Sequence, residues 1–434
     1  MKQLSLFDGT NIQQVAYNPK NQRTGTFTDN MKLPIHRWFR YSAGFSGEWA
    51  TQTIINNVPP NGRILDPFSG VGTTLLAAQS TGHSAIGIEA HPFIDKVAKA
   101  KLLWSADIQE LNRESATFLE CVKKRSPSID LTKNKLLSRC YTEEVLQKLA
   151  QFREVFETYC FSNSSMSQLI WLAITSILRP CSGVGTAQWQ YVLPNKSKVK
   201  VTEPYYAFQK HIELMVEDAL YAQKIGQSSN RALSINADSR QRCAYPDKLF
   251  DFVITSPPYP NNYDYADATR LEMTYWGDIE RWSDLHEVVR QNLIVSCAQH
   301  SAKEKHHLDT LLEVDALYPI KPEIELVCKE LDMVRHTKGG KKTYHTMVAS
   351  YFIDLAEVFV TLRKVVRSSG SMCFVIGDSA PYGVYVPVDR WLGDLACAAG
   401  FTSYKFHKVR DRNIKWKNRK HRVPLKEGQL WIQG

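Results

Sequence analysis

The most constraining feature of this chain is an alternation of short apolar runs with helical runs between residues 63 and 104. The apolar runs are RILDPF (63–68) and SAIGIEA (84–90), and each is followed by a run of helical pattern, TTLLAAQSTG (73–82) and HPFIDKVAKAKLLW (91–104). Strands that alternate with helices in this way form a parallel sheet with crossover helices. The pattern therefore predicts an α/β fold, whose ligands bind outside the carboxyl ends of the strands.

The alternation is interrupted twice and then resumes. ALSINAD (232–238), LFDFVIT (249–255) and SMCFVIGD (371–378) predict three more strands, and FTSYKFHKV (401–409) with GQLWIQ (428–433) predicts a closing antiparallel hairpin. The first interruption (105–230) carries helical patterns and shows no clear strand alternation before ALSINAD. The second interruption, from about 275 to 345, is charged and also helical in pattern. We therefore expect helical insertions in a mostly parallel sheet.

The composition excludes several classes of protein. No apolar run reaches 18 residues, which argues against a membrane span, and the first residues lack the apolar core of a secretory signal. The nine cysteines include no Cys-x-x-Cys pair, which argues against a zinc ribbon and a disulfide framework. These features predict a protein of the reducing cytoplasm without a metal site.

Most of the net charge of +10 lies near the end of the chain. The segment YKFHKVRDRNIKWKNRKHR (404–422) has nine Lys or Arg residues and one Asp, a net charge of +8, interleaved with aromatic residues. Such a mixture suits a phosphate backbone with bases to stack on. A solvated basic strand and loop is the alternative, and charge alone does not identify the polyanion.

The turn after the first strand has the composition of a ligand-binding loop. In DPFSGVGTTLLAA (66–78), Gly70 and Gly72 allow a positive φ and a close approach of the backbone to a ligand. Glu89 ends the next strand, 17 positions after Gly72, where an acidic side chain can hold ribose hydroxyls. A short Gly-x-Gly turn alone is also compatible with an ordinary strand-to-helix turn.

The second candidate motif is ITSPPY (254–259). Two consecutive prolines end the preceding strand, because they donate no backbone hydrogen bond and have a fixed φ. The result is a rigid turn at the carboxyl end of the sheet. The Oγ of Ser256 and the carbonyl of Pro257 are hydrogen-bond acceptors that this rigid turn aims in advance, and Tyr259 adds an aromatic ring beside them.

These two motifs resemble those of S-adenosylmethionine-dependent DNA amino-methyltransferases, in the order cofactor motif first and catalytic motif second. The Ser-Pro-Pro-Tyr form is similar to the cytosine-N4-specific type, whereas adenine-N6 relatives usually carry Asp or Asn instead of the serine. The resemblance covers about 37–104, 232–275 and 350–434 and implies a Rossmann-like methyltransferase fold with a mostly parallel seven-stranded sheet. It does not extend into the two insertions.

The resemblance implies a set of site residues. S-adenosyl-L-methionine would be held by Asp66 near its ammonium group, by Glu89 at its ribose and by Asp238 at its adenine, with further contacts from Phe45, Pro67, Phe68, Gly70, Gly72 and Thr73. The catalytic turn would be Ser256, Pro257, Pro258 and Tyr259. Asp238 could instead cap a turn. Asp264, in the loop after the catalytic turn, could orient a proton or cap a helix.

The partner that the resemblance implies is double-stranded DNA. We expect backbone contacts from Lys415, Lys417, Arg419, Lys420 and Arg422, and a base contact from Gln188, although 181–200 could equally be an ordinary surface loop. The first insertion is the expected target-recognition region, with the second insertion as another candidate. A cognate restriction endonuclease acting as a separate protein would complete a restriction-modification system.

The predicted organisation has six segments. They are an N-terminal lead-in (1–36), the cofactor-binding half (37–104), a helical insertion for target recognition (105–230), the catalytic half (231–275), a second helical insertion (276–345) and the C-terminal part of the sheet with its basic segment (346–434).

Three alternatives stay open at this point. The same scaffold could methylate adenine N6, or an RNA amine, or it could be a basic DNA-binding protein with a degenerate methyltransferase fold. A carbon-5 cytosine methyltransferase is disfavoured: its Pro-Cys nucleophile would have to be Cys181, which lies inside the predicted helical insertion, where a buried structural cysteine is expected.

Overall fold

The computed structural model describes residues 27–187, 191–226, 231–247, 249–261, 264–301, 307–339, 342–412 and 423–434. Within these ranges, seven strands form one sheet: β1 (Arg63–Asp66), β2 (Ser84–Glu89), β5 (Ala232–Asn236), β6 (Phe250–Thr255), β7 (Val366–Gly377), β8 (Ser403–Arg412) and β9 (Leu425–Gln433). Two shorter strands, β3 (Val184–Thr186) and β4 (Val192–Ser197), pair with each other outside the sheet.

The strand order in the sheet is β5-β2-β1-β6-β7-β9-β8. The first five of these strands, β5 to β7 in this order, run parallel to one another, whereas β9 is antiparallel to both β7 and β8. The chain thus starts in the middle of the sheet and builds outward in both directions. This topology confirms the predicted Rossmann-like fold with a mostly parallel seven-stranded sheet and a closing antiparallel hairpin.

Helices cover both faces of the sheet and build the two insertions. The shared core contains α1 (Phe27–Asn30), α2 (Gly47–Asn57), α3 (Thr73–Ser80), α4 (Pro92–Leu102), α15 (Tyr344–Val365) and α16 (Val388–Ala398). The first insertion contains α5 (Ile108–Lys124), α6 (Leu137–Cys140), α7 (Glu143–Thr158), α8 (Ser164–Cys181) and α9 (Pro204–Lys224). After the catalytic turn come α10 (Arg270–Trp276), α11 (Leu285–Val288), α12 (Ala298–Ser301), α13 (Leu308–Leu312) and α14 (Lys321–Thr337).

Two expectations about the elements were wrong. The first insertion is not wholly helical, because the β3–β4 hairpin lies between α8 and α9, with Val184 and Val192 buried as its apolar anchors. Three and six residues are too few for a clear alternation in the sequence. The strand predicted from residue 371 begins at Val366, directly after α15, and Val366 pairs with Phe250 of β6.

The first insertion shares a continuous apolar core with helix α4 of the sheet domain. The ring of Phe93 on α4 lies 5.4 Å from the ring of Trp171 on α8, edge to face. The ammonium of Lys96 lies 4.1 Å from the centre of the same Trp171 ring. Buried aromatic contacts of this kind hold the insertion firmly against the sheet domain.

On the other face of the sheet, α15 packs against α14 and α16. Of the helices that the structure describes, α15 alone is long and apolar enough to cross a membrane by length and composition, and 83% of its most apolar stretch is buried inside the protein. A buried core helix passes the same test, so this feature is weak evidence for a span.

Candidate active site

The two predicted motifs meet at one edge of the sheet because their strands are parallel neighbours. Leu65 of β1 is in register with Val253 of β6, so Asp66 and Thr255 end the two strands side by side. The Thr255 hydroxyl donates a hydrogen bond to Asp66 Oδ1 at 2.5 Å. The glycine turn that follows β1 and the SPPY turn that follows β6 therefore lie next to each other.

A cavity with about 910 Å³ of empty space, part of it open to solvent, lies at this edge. The lining residues come from both motifs, from the segment before α2, from the turns after β2 and β5, and from the second insertion. They are Tyr41, Ala43, Gly44, Phe45, Asp66, Pro67, Phe68, Ser69, Gly70, Val71, Thr73, Ile88, Glu89, Ala90, His91, Ser239, Ser256, Pro258, Tyr265, Asn292, Leu293, Ile294 and Ser296.

Asp66 is a buried carboxylate in the cavity wall. Besides the bond from Thr255, its Oδ1 accepts from the amide of Phe68 at 3.0 Å, and its Oδ2 accepts from the Thr74 hydroxyl at 2.6 Å. Burial raises the pKa of Asp66 to about 6, although these hydrogen bonds act in the opposite direction. A buried carboxylate with neutral donors and no ion-pair partner among its hydrogen bonds is suited to receive a cationic ligand group.

Glu89 is held by the backbone on either side of the cavity. Its Oε2 accepts from the amide of Gly70 at 2.8 Å, and its Oε1 accepts from the amide of His91 at 2.8 Å. Burial raises the pKa of Glu89 to about 7, against the lowering effect of the two amide bonds, and the nearby Asp95 and Asp66 raise it further. Each carboxylate oxygen keeps acceptor capacity for a hydroxyl in the cavity.

The two glycines of the turn have different roles. Gly70 has a φ of 51°, and a Cβ built on it would meet one atom within 4 Å, Tyr41 Cε1 at 3.9 Å, so a side chain there would occupy the cavity. Gly72 has a φ of 84°, does not line the cavity, and forms the N-cap of α3. A Cβ on Gly72 would lie 3.5 Å from Ala98 Cβ of α4, so this glycine serves the turn and helix packing.

The remaining cofactor candidates of the first half lie at the cavity. Pro67, Phe68 and Thr73 line it directly after β1. Phe45 lines its other side, where it packs edge to face on Trp49 with ring centres 5.1 Å apart. Asn30 fixes this segment, because its amide donates to the Phe45 carbonyl at 2.9 Å.

Asp238 does not line the cavity. Both of its carboxylate oxygens accept from the Arg240 guanidinium, at distances of 2.7 to 3.0 Å, and Arg240 also bonds Asp354 at 2.8 Å. Its Oδ1 further accepts from the Arg240 amide at 2.9 Å, which is the turn-capping geometry considered as the alternative. The neighbouring Ser239 lines the cavity in its place.

The SPPY turn presents its first residue to the cavity. The Ser256 hydroxyl donates to the carbonyl of Val375 on β7 at 3.1 Å and also lies within hydrogen-bond reach of the Tyr259 side chain. A hydroxyl oxygen has two lone pairs, so it can accept a further hydrogen bond at the cavity. Pro258 also lines the cavity, whereas Pro257 is buried and Tyr259 is partly buried beside it. The hydroxyl that the sequence indicated therefore lies at the cavity wall shared by the two motifs.

Tyr259 is held from the far side by Arg412 at the end of β8. The Arg412 guanidinium lies 4.8 Å from the centre of the Tyr259 ring, and its Nη1 donates to the Asp378 carbonyl at 2.7 Å. Both side chains pack over Gly377, where a Cβ would lie 2.8 Å from Arg412 Nη1 and 3.1 Å from Tyr259 Cε2. Only glycine permits this close packing without displacing one of them.

Asp264 is buried in the loop after the SPPY turn. Its Oδ2 accepts from Arg290 at 2.5 Å and its Oδ1 accepts from the Ala266 amide at 3.1 Å, so it both caps the following turn and pairs with a cation. Cys297 and His300 lie close to it. Arg290 already neutralises Asp264. The cluster of Asp264, Cys297 and His300 is therefore better described as a structural support of the loop than as a metal site.

Cys181 is buried at the end of α8, as expected for a structural cysteine. Burial raises the pKa of its thiol to about 12, so it is not a thiolate nucleophile at neutral pH. All nine cysteines of the chain are free.

Sequence reasoning missed the cavity wall contributed by the second insertion, Asn292 to Ile294 and Ser296. The Asn261 amide donates to the Ser296 carbonyl at 2.8 Å and joins this wall to the SPPY loop. It also missed Tyr41 and His91, although both directly adjoin candidate segments. The predicted DNA contacts Gln188, Lys415, Lys417, Arg419, Lys420 and Arg422 lie outside the described residues.

The sheet topology, with a cavity at the carboxyl ends of its parallel strands, is that of the Rossmann-like methyltransferase fold. The family model N6_N4_Mtase, described as DNA methylase, matches residues 4–100. The Type II methyltransferase M.AvaI of Nostoc sp. is 26% identical over 408 residues, 88% of this chain and 82% of that protein. M.BsoBI of Geobacillus stearothermophilus is 27% identical over 443 residues, 90% and 83% respectively, and M.MvaI of Kocuria varians is 22% identical over 414 residues, 90% and 86%.

Among solved structures, the rRNA methyltransferase aviRa from Streptomyces viridochromogenes aligns with 92% of this chain and 85% of that chain, at 10% identity and a TM-score of 0.28. At that TM-score the alignment carries no argument. Its motifs, topology and relatives are similar to those of the DNA amino-methyltransferases, the N4/N6 class that includes Type II enzymes. This similarity implies S-adenosylmethionine as the methyl donor.

Proposed function

We propose that this enzyme methylates the exocyclic N4 of a cytosine that is flipped out of double-stranded DNA at a specific sequence. The observation that carries the proposal is the position of Ser256, which lines the cavity at the end of β6 and whose hydroxyl oxygen can accept a hydrogen bond there. A neutral acceptor suits the N–H groups of the cytosine amine. Adenine-N6 methyltransferases of the family that the motifs resemble usually carry Asp or Asn at this position, so the serine favours cytosine.

Bound S-adenosylmethionine supplies an electrophilic methyl group. In this proposal Asp66 binds its ammonium group and Glu89 binds its ribose hydroxyls, while Phe45 and Phe68 cover its apolar surface. Ser256 Oγ and the Pro257 carbonyl would accept the two N–H groups of the cytosine amine, which frees the nitrogen lone pair for in-line attack on the methyl carbon. The carbon–sulfur bond breaks as the nitrogen–carbon bond forms, the thioether leaves, and the methylated amine releases one proton to water. Tyr259 stacks on the flipped base.

The two turns are adjacent because their strands are adjacent, so positioning is built into the sheet. The Thr255 to Asp66 hydrogen bond joins the end of the catalytic strand to the cofactor motif. A shift of either turn would therefore alter the other. Transfer by positioning requires such fixed geometry, because small misplacements reduce the rate strongly.

Biological context is part of the same proposal. We infer that the enzyme is the modification member of a restriction-modification system, because the relatives covering most of the chain are Type II methyltransferases. It would work in the cytoplasm, where reducing conditions keep its nine thiols free. The first insertion and the basic segment at residues 415–422 are the proposed DNA contacts.

The test is methylation of plasmid DNA with S-adenosylmethionine, followed by digestion to nucleosides and mass analysis. We expect N4-methylcytosine at a defined sequence. N6-methyladenine would show that the serine argument is wrong, and no methylated nucleoside on varied plasmid sequences would contradict the activity. Protection of the product against an endonuclease that cuts the methylated site would support the restriction partner.

Arg412→Met should lower the rate of transfer about three- to tenfold, because Tyr259 loses the cation on its ring and the Asp378 contact is lost. Affinity for S-adenosylmethionine should stay unchanged, since neither side chain lines the cavity. Single-turnover rates and cofactor titrations measure both.

The matched control is Arg410→Met. Arg410 pairs with Glu427 at 2.7 Å, and Arg412 lies 3.7 Å from the same carboxylate, but Arg412 is the one that contacts Tyr259. An equal loss of rate in both variants would assign the effect to Glu427 and not to the tyrosine.

A further inference from the structure

The β3–β4 hairpin is the part of the first insertion that reaches the catalytic loop. The Asp264 amide donates a hydrogen bond to the Tyr191 hydroxyl at 2.5 Å. Tyr191 directly precedes β4, and its carbonyl accepts from the Ala187 amide at 2.8 Å across the hairpin. Asp264 follows Tyr259 by five residues, so the end of the hairpin is bonded to the loop that carries the proposed base-stacking residue.

The root of the hairpin is joined to the helix that follows the same loop. Lys198 donates to the carbonyls of Arg179, at 2.6 Å, and Ser182, at 3.4 Å. Arg179 in turn forms a buried ion pair with Glu272 of α10 and donates to the Ala268 carbonyl at 2.7 Å. The hairpin is thus joined to the catalytic loop through Tyr191 and to the helix after that loop through Lys198 and Arg179.

The surface of the hairpin is polar and positively charged. Residues 182–202 contain three lysines and neither Asp nor Glu. The exposed side chains include Thr186, Asn195, Lys196, Ser197 and Lys200. A strand pair with exposed amides, hydroxyls and lysines has the chemistry of a nucleic-acid contact.

The positive charge continues toward the cavity. Arg40 is exposed and immediately precedes Tyr41, which lines the cavity. Burial lowers the pKa of Lys198, and the nearby guanidinium groups of Arg179 and Arg40 lower it further. Arg179 is already paired with Glu272, so the exposed cations named on this side of the cavity are Arg40, Lys196 and Lys200, which would attract the phosphates of a polyanion.

We propose that the β3–β4 hairpin contacts the DNA duplex beside the flipped base, with Lys196 and Lys200 on backbone phosphates, and that the Tyr191 to Asp264 hydrogen bond transmits this contact to the catalytic loop. The inference rests on the proposed function for the identity of the flipped base. It places target contact on one hairpin within an insertion of more than one hundred residues.

The double variant Lys196→Ala/Lys200→Ala should reduce the dependence of duplex DNA affinity on salt. Each lost phosphate contact lowers the slope of log K against log salt by about 0.9, so a reduction of about 1.8 is expected. Affinity at physiological salt should weaken roughly tenfold or more, whereas S-adenosylmethionine affinity should stay unchanged. The control is Lys124→Ala/Lys364→Ala, two exposed lysines on α5 and α15, which should leave the slope unchanged.

Tyr191→Phe removes the acceptor of the Asp264 amide and keeps the ring. We expect kcat to fall about three- to tenfold, the value of one hydrogen bond, with KM for DNA and the salt slope near those of the wild type. A loss of DNA affinity and kcat together, with a lower melting temperature, would indicate a merely structural role and contradict the proposed transmission.

The outcomes separate this inference from the proposed function. The hairpin contact is overturned if the salt slope for duplex DNA is unchanged in the Lys196→Ala/Lys200→Ala variant, or if that variant loses affinity for RNA and not for duplex DNA. This holds even if the wild type makes N4-methylcytosine. A wild type that makes N6-methyladenine with the expected slopes overturns the proposed base and retains the hairpin. Failure of the wild type to bind duplex DNA overturns both.

Discussion

Ser256→Ala should lower the rate of methyl transfer about a hundredfold or more while S-adenosylmethionine affinity stays within about twofold of the wild type. The hydroxyl is one of two acceptors proposed for the cytosine amine, and removal of one preorganised polar group at a reacting centre typically has an effect of this size. Alanine fits the site, because it is smaller than serine and Ser256 is only partly buried. Single-turnover kinetics on duplex DNA and cofactor titration provide the two measurements.

The matched variant is Ser256→Thr, which keeps the hydroxyl and should retain much more of the rate than alanine does. Ser256→Asn keeps an acceptor of the type found in adenine-specific relatives and tests whether the preferred base changes. If the alanine variant loses cofactor affinity in parallel with rate, Ser256 belongs to the cofactor site and its proposed catalytic role is wrong.

Asp66→Asn should weaken S-adenosylmethionine binding about a hundredfold or more. The buried carboxylate is the proposed partner of the ammonium group, and breaking such a buried pair costs about 3–5 kcal/mol. Isothermal titration or equilibrium dialysis measures the loss. Normal affinity in this variant would remove Asp66 from the cofactor site.

The same variant should stabilise the empty protein. Burial raises the pKa of Asp66 from its model-compound value of 3.8 to about 6, so the empty protein loses stability from this group as the pH rises between these values. The resulting loss in the free energy of unfolding is about 3 kcal/mol at most, because a difference of one unit between the folded and unfolded pKa corresponds to about 1.4 kcal/mol. Asparagine removes the charge. Thr74 can then accept from the new amide and donate to the Ile254 carbonyl, from which its hydroxyl lies at 3.4 Å.

Cofactor affinity of the wild type should fall at acid pH. Binding the ammonium group requires ionised Asp66, so affinity should decrease through a pH of about 6 and approach a tenfold loss per pH unit below it. Protonation of Glu89, whose pKa is raised to about 7, adds a second decrease at higher pH. In Asp66→Asn the first decrease should vanish and the second should shift downward, because the repulsion from Asp66 is gone.

The sheet and the two turns could be predicted from sequence because each depends on local pattern. Apolar strands end in DPFSGVG and in SPPY, and parallel neighbours bring such ends together regardless of the residues between them. Asp66, Glu89 and Ser256 therefore follow from motif and position. Their burial and hydrogen bonds required the structure.

Other parts of the site depend on contacts between distant segments. Asp238 occupies the expected strand end, yet the competing Arg240 two residues later binds its carboxylate. The cavity wall at Asn292 to Ser296 comes from an insertion whose sequence has no ligand-binding motif. The β3–β4 hairpin is too short to have a period, and its importance depends on Tyr191 reaching Asp264.

The packing of Phe93 on Trp171 has a consequence for how DNA enters the enzyme. Because the first insertion and the sheet domain share one apolar core, separating the two would expose large aromatic surfaces to water, which opposes any opening between them. Adaptation should then come largely from the nucleic acid. We expect discrimination between sites to depend partly on how easily a given sequence bends and unstacks, so that base steps the protein never touches still contribute to selectivity.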